Sequence, residues 1–202
     1  MNHLIPSSEI ADNTERRQLL IATGVAGGVA AISTTLPFIA TFAPSERAKA
    51  MGSAIEVDVA GMAPGSMTTV EWHGKPVWVV RRTQSMIEAL KDPDPRLADP
   101  KSEQNQQPEN SRNIFRSVRE EFFVAIGVCT HLGCSPAEVP AGTANPSVGP
   151  DWKGGFFCPC HGSTFDGAGR VFSNKPAPTN LEIPPYRFLS DTRILIGEEA
   201  QA

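Results

Sequence analysis

The sequence predicts an all-β domain of antiparallel strands, preceded by one N-terminal transmembrane helix. Three observations carry this. The run from Leu19 to Ala43 contains no charged residue. From about residue 54 onward, short β-branched and aromatic runs alternate with Gly, Pro and Asn. Eighteen prolines and seventeen glycines in 202 residues disfavour a bundle of long helices.

Residues 19–43 read LLIATGVAGGVAAISTTLPFIATFA, 25 residues without a polar face. A helix of that length spans a hydrocarbon core of ~30 Å. Gly24, Gly27 and Gly28 suit close helix packing in lipid, and Pro37 predicts a kink. Arg16 and Arg17 precede the run, so residues 1–18 are expected on the cytoplasmic side and the bulk of the chain in the periplasm, anchored by a single pass in the inner membrane. RRQLL resembles a twin-arginine export signal, and AKA at 48–50 a cleavage site, but the apolar run is long for a signal peptide and favours an uncleaved anchor. Residues 44–53, PSERAKAMGS, are polar and small, the composition of a flexible hinge.

Beyond the hinge, AIEVDV (54–59), MTTVEW (67–72), PVWVVRRT (76–83) and EFFVAIGV (121–128) read as strands. GGFFC, GRVF, LEIPPYRFL and TRILIG continue the pattern to the C-terminus. SMIEALKD predicts a short helix, followed by a surface loop to Asn113. A net charge of -4 offers no basic face, so no nucleic-acid partner is expected.

All four cysteines and two of the four histidines fall in two blocks, VCTHLGC (128–134) and FFCPCHGSTF (156–165). An oxidising compartment permits two structural disulfides, but these leave His131 and His161 without a role. A zinc site would ordinarily pair Cys with Cys and His with His, whereas here each block offers Cys with His. Two thiolates and two imidazoles suit a pair of irons ligated differently, as in a Rieske 2Fe-2S centre.

With CTHLGC, CPCHGS, GRVF, PAPTNLEIPPY and the N-terminal anchor, the chain resembles the Rieske iron-sulfur subunits of proteobacterial cytochrome bc complexes, the ubiquinol:cytochrome c oxidoreductases. The resemblance implies an antiparallel β-sandwich over 54–202 with a small cluster-binding subdomain at about 128–173. It implies one 2Fe-2S cluster, with Cys129 and Cys158 on one iron and His131 and His161 on the other. It implies a disulfide between Cys134 and Cys160 and a hydroxyl from Ser163 donated toward the cluster. Gly133 and Gly162 would bring backbone N–H groups near it, and Leu132 would shield it and touch quinol. His161 would meet ubiquinol and receive its electron and proton, and the domain would then swing to a haem. The implied partners are the cytochrome b and cytochrome c subunits, ubiquinol, membrane lipid and a second copy of a dimeric complex.

Two positions depart from the family pattern. Phe165 stands where many members carry a tyrosine whose hydroxyl donates to a ligand sulfur, so a moderate potential is expected. Lys175, in the proline loop NKPAPTN (174–180), stands where many have glycine. Two other readings share the motif. The Rieske subunit of a periplasmic molybdenum oxidase such as arsenite oxidase would normally be soluble after signal removal. An oxygenase-type Rieske ferredoxin ordinarily lacks both the second cysteine pair and the anchor.

Overall fold

The computed structural model describes residues 8–45 and 53–198. The chain divides into two units, residues 1–49 and 50–202. Among its described residues the first holds one helix, α1 (Ser8–Ala40), of which Asn13–Ala40 is long and apolar enough to cross a membrane. It begins well before the apolar run, through helix-forming Glu, Arg and Gln, and ends three residues short of Ala43. Its hydroxyls turn inward: Thr23 and Thr35 donate to the carbonyls of Leu19 and Ala31 at 2.6 and 2.7 Å, which leaves its surface apolar. Pro37 lies inside the helix, whose last turn closes from Thr41 N–H to the Pro37 carbonyl at 3.2 Å. Most of the hinge expected at 44–53 lies outside the described residues.

The second unit is built from three antiparallel three-stranded sheets. The strands are β1 (Ile55–Asp58), β2 (Met67–Trp72), β3 (Lys75–Arg81), β4 (Phe122–Ile126), β5 (Ala137–Val139), β6 (Gly155–Cys158), β7 (Ser163–Asp166), β8 (Tyr186–Ser190) and β9 (Arg193–Ile196). They pair in the orders β1-β9-β8, β2-β3-β4 and β5-β6-β7. A helix, α2 (Gln84–Lys91), follows β3; the Thr83 hydroxyl caps it by accepting from Met86 N–H at 3.3 Å. Its buried side chains are Ile87 and Leu90.

The first two sheets share a core of Val57, Val77, Val79, Phe123, Val124, Tyr186, Ile194 and Ile196. β4 is buried at every position, which is why FFVAI shows no polar alternation. The third sheet joins that core through Phe156 and Phe165; the Phe156 ring stacks on Trp78 with centroids 4.9 Å apart. Gly127, at the exit of β4, lies under the same indole, and a Cβ there would meet it at 2.3 Å. Glycine at this point lets the core close directly beneath the first cysteine block.

β5 and β7 were not expected, and GRVF is not a strand. Val171 makes only an isolated bridge to Phe165, and its N–H is taken by the Asn180 side chain at 2.9 Å. LEIPPYRFL is a paired strand only from Tyr186, after Pro184 and Pro185, which have no N–H for a ladder.

Candidate metal centre

The two cysteine blocks fold as equivalent turns, one after β4 and one between β6 and β7. Gly133 N–H bonds to the Cys129 carbonyl at 3.0 Å, and Gly162 N–H to the Cys158 carbonyl at 2.9 Å. Both glycines have positive φ, +84° and +78°, with open space where a Cβ would stand, so backbone conformation alone asks for glycine. Their N–H groups are thereby spent on the turn carbonyls. The N–H that reaches a ligand-candidate sulfur is that of His131, toward Cys129.

The turns face each other and are stapled by a disulfide between Cys134 and Cys160, across 26 residues of chain. Cys129 and Cys158 remain free, both buried, and their thiols are in hydrogen-bonding contact. Burial pushes the Cys129 thiol up, and contact with Cys158 adds to this, against the lowering effect of donors from His131 N–H and the Ser163 hydroxyl. The His131 and His161 rings stand edge to face, 4.7 Å between centroids. His131 Nδ1 is buried without a partner, a cost that a ligand would remove. Two adjacent buried thiols, two converging imidazoles and an orphaned imidazole nitrogen fit a mixed thiolate and imidazole cluster. The sulfurs of Cys134, Cys158 and Cys160 also lie within 4.8 Å of one another, but two of the three belong to the disulfide.

Exposure divides the site. Cys129, Cys158 and Ser163 are buried, while His161 and Cys160 are exposed and Leu132 is 71% exposed at the tip of its turn. Ser163 accepts from Ala177 N–H at 3.0 Å, which ties the site to the proline loop. A second tie went unnoticed in the sequence: the Thr130 hydroxyl donates to the Thr179 carbonyl at 2.7 Å. Its signal was available, since a threonine between Cys129 and His131 has a hydroxyl that a turn conformation leaves free. Lys175 does not occupy a glycine-demanding conformation, because the left-handed residue of the loop is Asn174, with φ +58°. A cavity of about 290 Å³ lined by Met86, Leu90, Trp152 and Phe172 includes none of these residues.

The Rieske [2Fe-2S] domain family matches residues 96–186, which include both turns. The chain is 51% identical to the ubiquinol-cytochrome c reductase iron-sulfur subunit of Allochromatium vinosum, over 96% of this chain and 93% of that one. The chain belongs to the family of Rieske iron-sulfur subunits. Subunits of the same description from Bradyrhizobium diazoefficiens and Rhodospirillum rubrum are each 40% identical, over 93% and 92% of this chain and 97% and 93% of theirs. This chain carries the two turns, the disulfide and the apolar N-terminal helix together.

Proposed function

We propose that this chain is the electron-transfer subunit of a membrane ubiquinol:cytochrome c oxidoreductase, working beside cytochrome b and cytochrome c subunits in a dimeric complex. Its relatives carry that activity in their names. The observation within the molecule that supports it is the edge-to-face pair of His131 and His161 at the exposed rim of a buried dithiol.

In this reading Cys129 and Cys158 hold one iron, and His131 and His161 the other. A bound [2Fe-2S] cluster of this type supplies a one-electron acceptor whose potential is raised because neutral imidazoles replace two thiolates. The remaining work belongs to the protein. His161, on the exposed side, accepts a hydrogen bond from ubiquinol and takes its proton. Leu132, exposed at the tip of the first turn, covers the approach with apolar surface and excludes water. Ser163, its hydroxyl oxygen held by Ala177 N–H, keeps its proton directed at sulfur. The helix α1 anchors the chain in the inner membrane, with the β domain on the periplasmic side, where the Cys134–Cys160 disulfide is chemically permitted.

The test is purification of the full chain from detergent-solubilised membranes. Co-purification of b-type and c-type haem absorption with a Rieske electron paramagnetic resonance signal is expected, with residues 19–43 retained on N-terminal sequencing. A soluble, haem-free chain lacking that segment would overturn the reading in favour of a molybdenum oxidase subunit.

A further inference from the structure

Three arginines of the β domain are almost wholly buried: Arg82, Arg116 and Arg170, at 2, 0 and 1% exposure. Among the described residues, Arg170 alone of the three has a carboxylate partner, Asp166, at 2.6 Å. Arg82 donates to the carbonyls of Phe115, Glu120 and Gly167 and to the Ser117 hydroxyl. Arg116 donates to the carbonyls of Ala168, Gly169 and Leu181 and to the Gln107 side chain. The nearby carboxylates are the half-buried Asp166 and the buried Asp99, the latter accepting from Glu103 and Gln104 N–H. Three positive charges face two negative ones, which leaves one positive charge in excess.

Structural economy does not account for this arrangement. A buried charge is costly and rarely contributes net stability. Arg82 Nε and Arg116 Nε are also buried without a partner, and Arg116 sits at φ +49°, a strained conformation for its residue type. Burial lowers both guanidinium pKa values to about 10, so both stay charged at neutral pH. Both arginines grip the turn 167–169, which directly continues β7, the strand that opens with Ser163 against the Cys129 sulfur. Leu181, also held by Arg116, follows the proline loop on the other side.

We infer that the excess buried positive charge carried by Arg82 and Arg116 sets the reduction potential of the metal centre from behind, favouring the more negative reduced state. In this chain it acts where Phe165 cannot donate a hydrogen bond. Four residues of extended strand, with the contacts at either end, place the guanidinium of Arg82 within roughly 20 Å of the Cys129 sulfur. At that range and an effective dielectric of about 20, one charge changes the ratio of reduced to oxidised centre about fourfold, ~35 mV at ~59 mV per tenfold.

The inference rests on the Rieske reading, and a redox titration of the full membrane-bound chain, followed by electron paramagnetic resonance, separates the two. Absence of the Rieske signal in the wild-type chain would remove the reading itself. With the signal present, Arg82→Gln should lower the midpoint by about that fourfold factor, and Arg116→Gln should lower it in the same direction. Arg82→Lys, which keeps the charge but loses the fork, should stay near wild type, an outcome that a purely structural role does not predict. Asp99→Asn keeps one acceptor oxygen, removes one compensating charge and should shift the midpoint upward. That variant decides the matter even if the arginine variants fail to assemble a centre. An unmoved midpoint in Asp99→Asn, or a wild-type midpoint in an assembled glutamine variant, would overturn the inference.

Discussion

Ser163 and Phe165 stand two positions apart on β7, so strand alternation points both side chains to one face, the face that meets Cys129. Both are fully buried. A hydroxyl donated to sulfur strengthens when the centre gains an electron, because negative charge on sulfur grows. Phe165→Tyr is therefore expected to raise the potential and Ser163→Ala to lower it, each by roughly 40 mV if the bond gains about 1 kcal/mol on reduction. Voltammetry of the two variants at one pH checks this, and an unmoved potential in Phe165→Tyr would mean that the new hydroxyl does not reach sulfur. The four proposed ligands make a stricter expectation. Cys129→Ser, His131→Ala, Cys158→Ser and His161→Ala should each abolish the Rieske resonance signal, and a normal signal from any one of them would displace that residue from the ligand set.

At the scale of elements, the site consists of two turns and the proline loop beside them. The turns are locked by one disulfide, and the loop is held by hydrogen bonds to Thr130 and Ser163. A cross-link closing a 26-residue separation restricts the unfolded chain by about 3–4 kcal/mol in the loop-entropy account. Cys158, a proposed ligand, lies within 4.8 Å of both disulfide sulfurs, so loosening the staple loosens the ligand frame. Replacing Cys134 and Cys160 together by serine should leave a centre that assembles but decays faster and melts at lower temperature. Absorbance followed over time at fixed temperature measures it, and a wild-type lifetime would show that the staple does not stiffen the site. The sheet below allows little movement: a Cβ at Gly155 would sit 2.1 Å from the Phe165 carbonyl, so β6 and β7 pair only with glycine there.

Across the whole β domain, Arg96 joins distant segments by bonding both Asp94 and Asp151, each at 2.6 Å. Hydrogen bonds from Arg96 hold the Asp94 carboxyl down at about 2. The unfolded value is ~3.9, so this pair's stabilisation is fully present above pH ~4 and is lost as pH falls through ~2. Asp94→Asn should therefore remove part of the loss of thermal stability between pH 4 and pH 2. Melting temperatures of both chains across that window, read by circular dichroism, test it; parallel curves would assign the acid sensitivity to other carboxylates.

How much of this was legible depended on how local the cause was. An uncharged run of 25 residues specifies a membrane-length helix because length and apolarity are sufficient for it. Cys and His at these spacings specify the family because ligand chemistry leaves few other uses for them. The strands β3 and β4 were readable because their apolar runs pack directly into the core, and β2 because its side chains alternate between exposed and half-buried, with Val70 and Trp72 against that core. β5 and β7 were not, since each is three or four residues long and exists through pairing with β6. GRVF misled for the complementary reason: its apolar pattern is that of a strand, but Asn180 takes the N–H of Val171. Sequence alone determined the residue types available to the centre and the anchor that precedes it. Only the tertiary structure decided that the Ser163 and Thr130 hydroxyls grip the proline loop, and that three arginines lie buried together behind β7. Those facts depend on contacts between segments 14 to 85 residues apart, which no local pattern encodes.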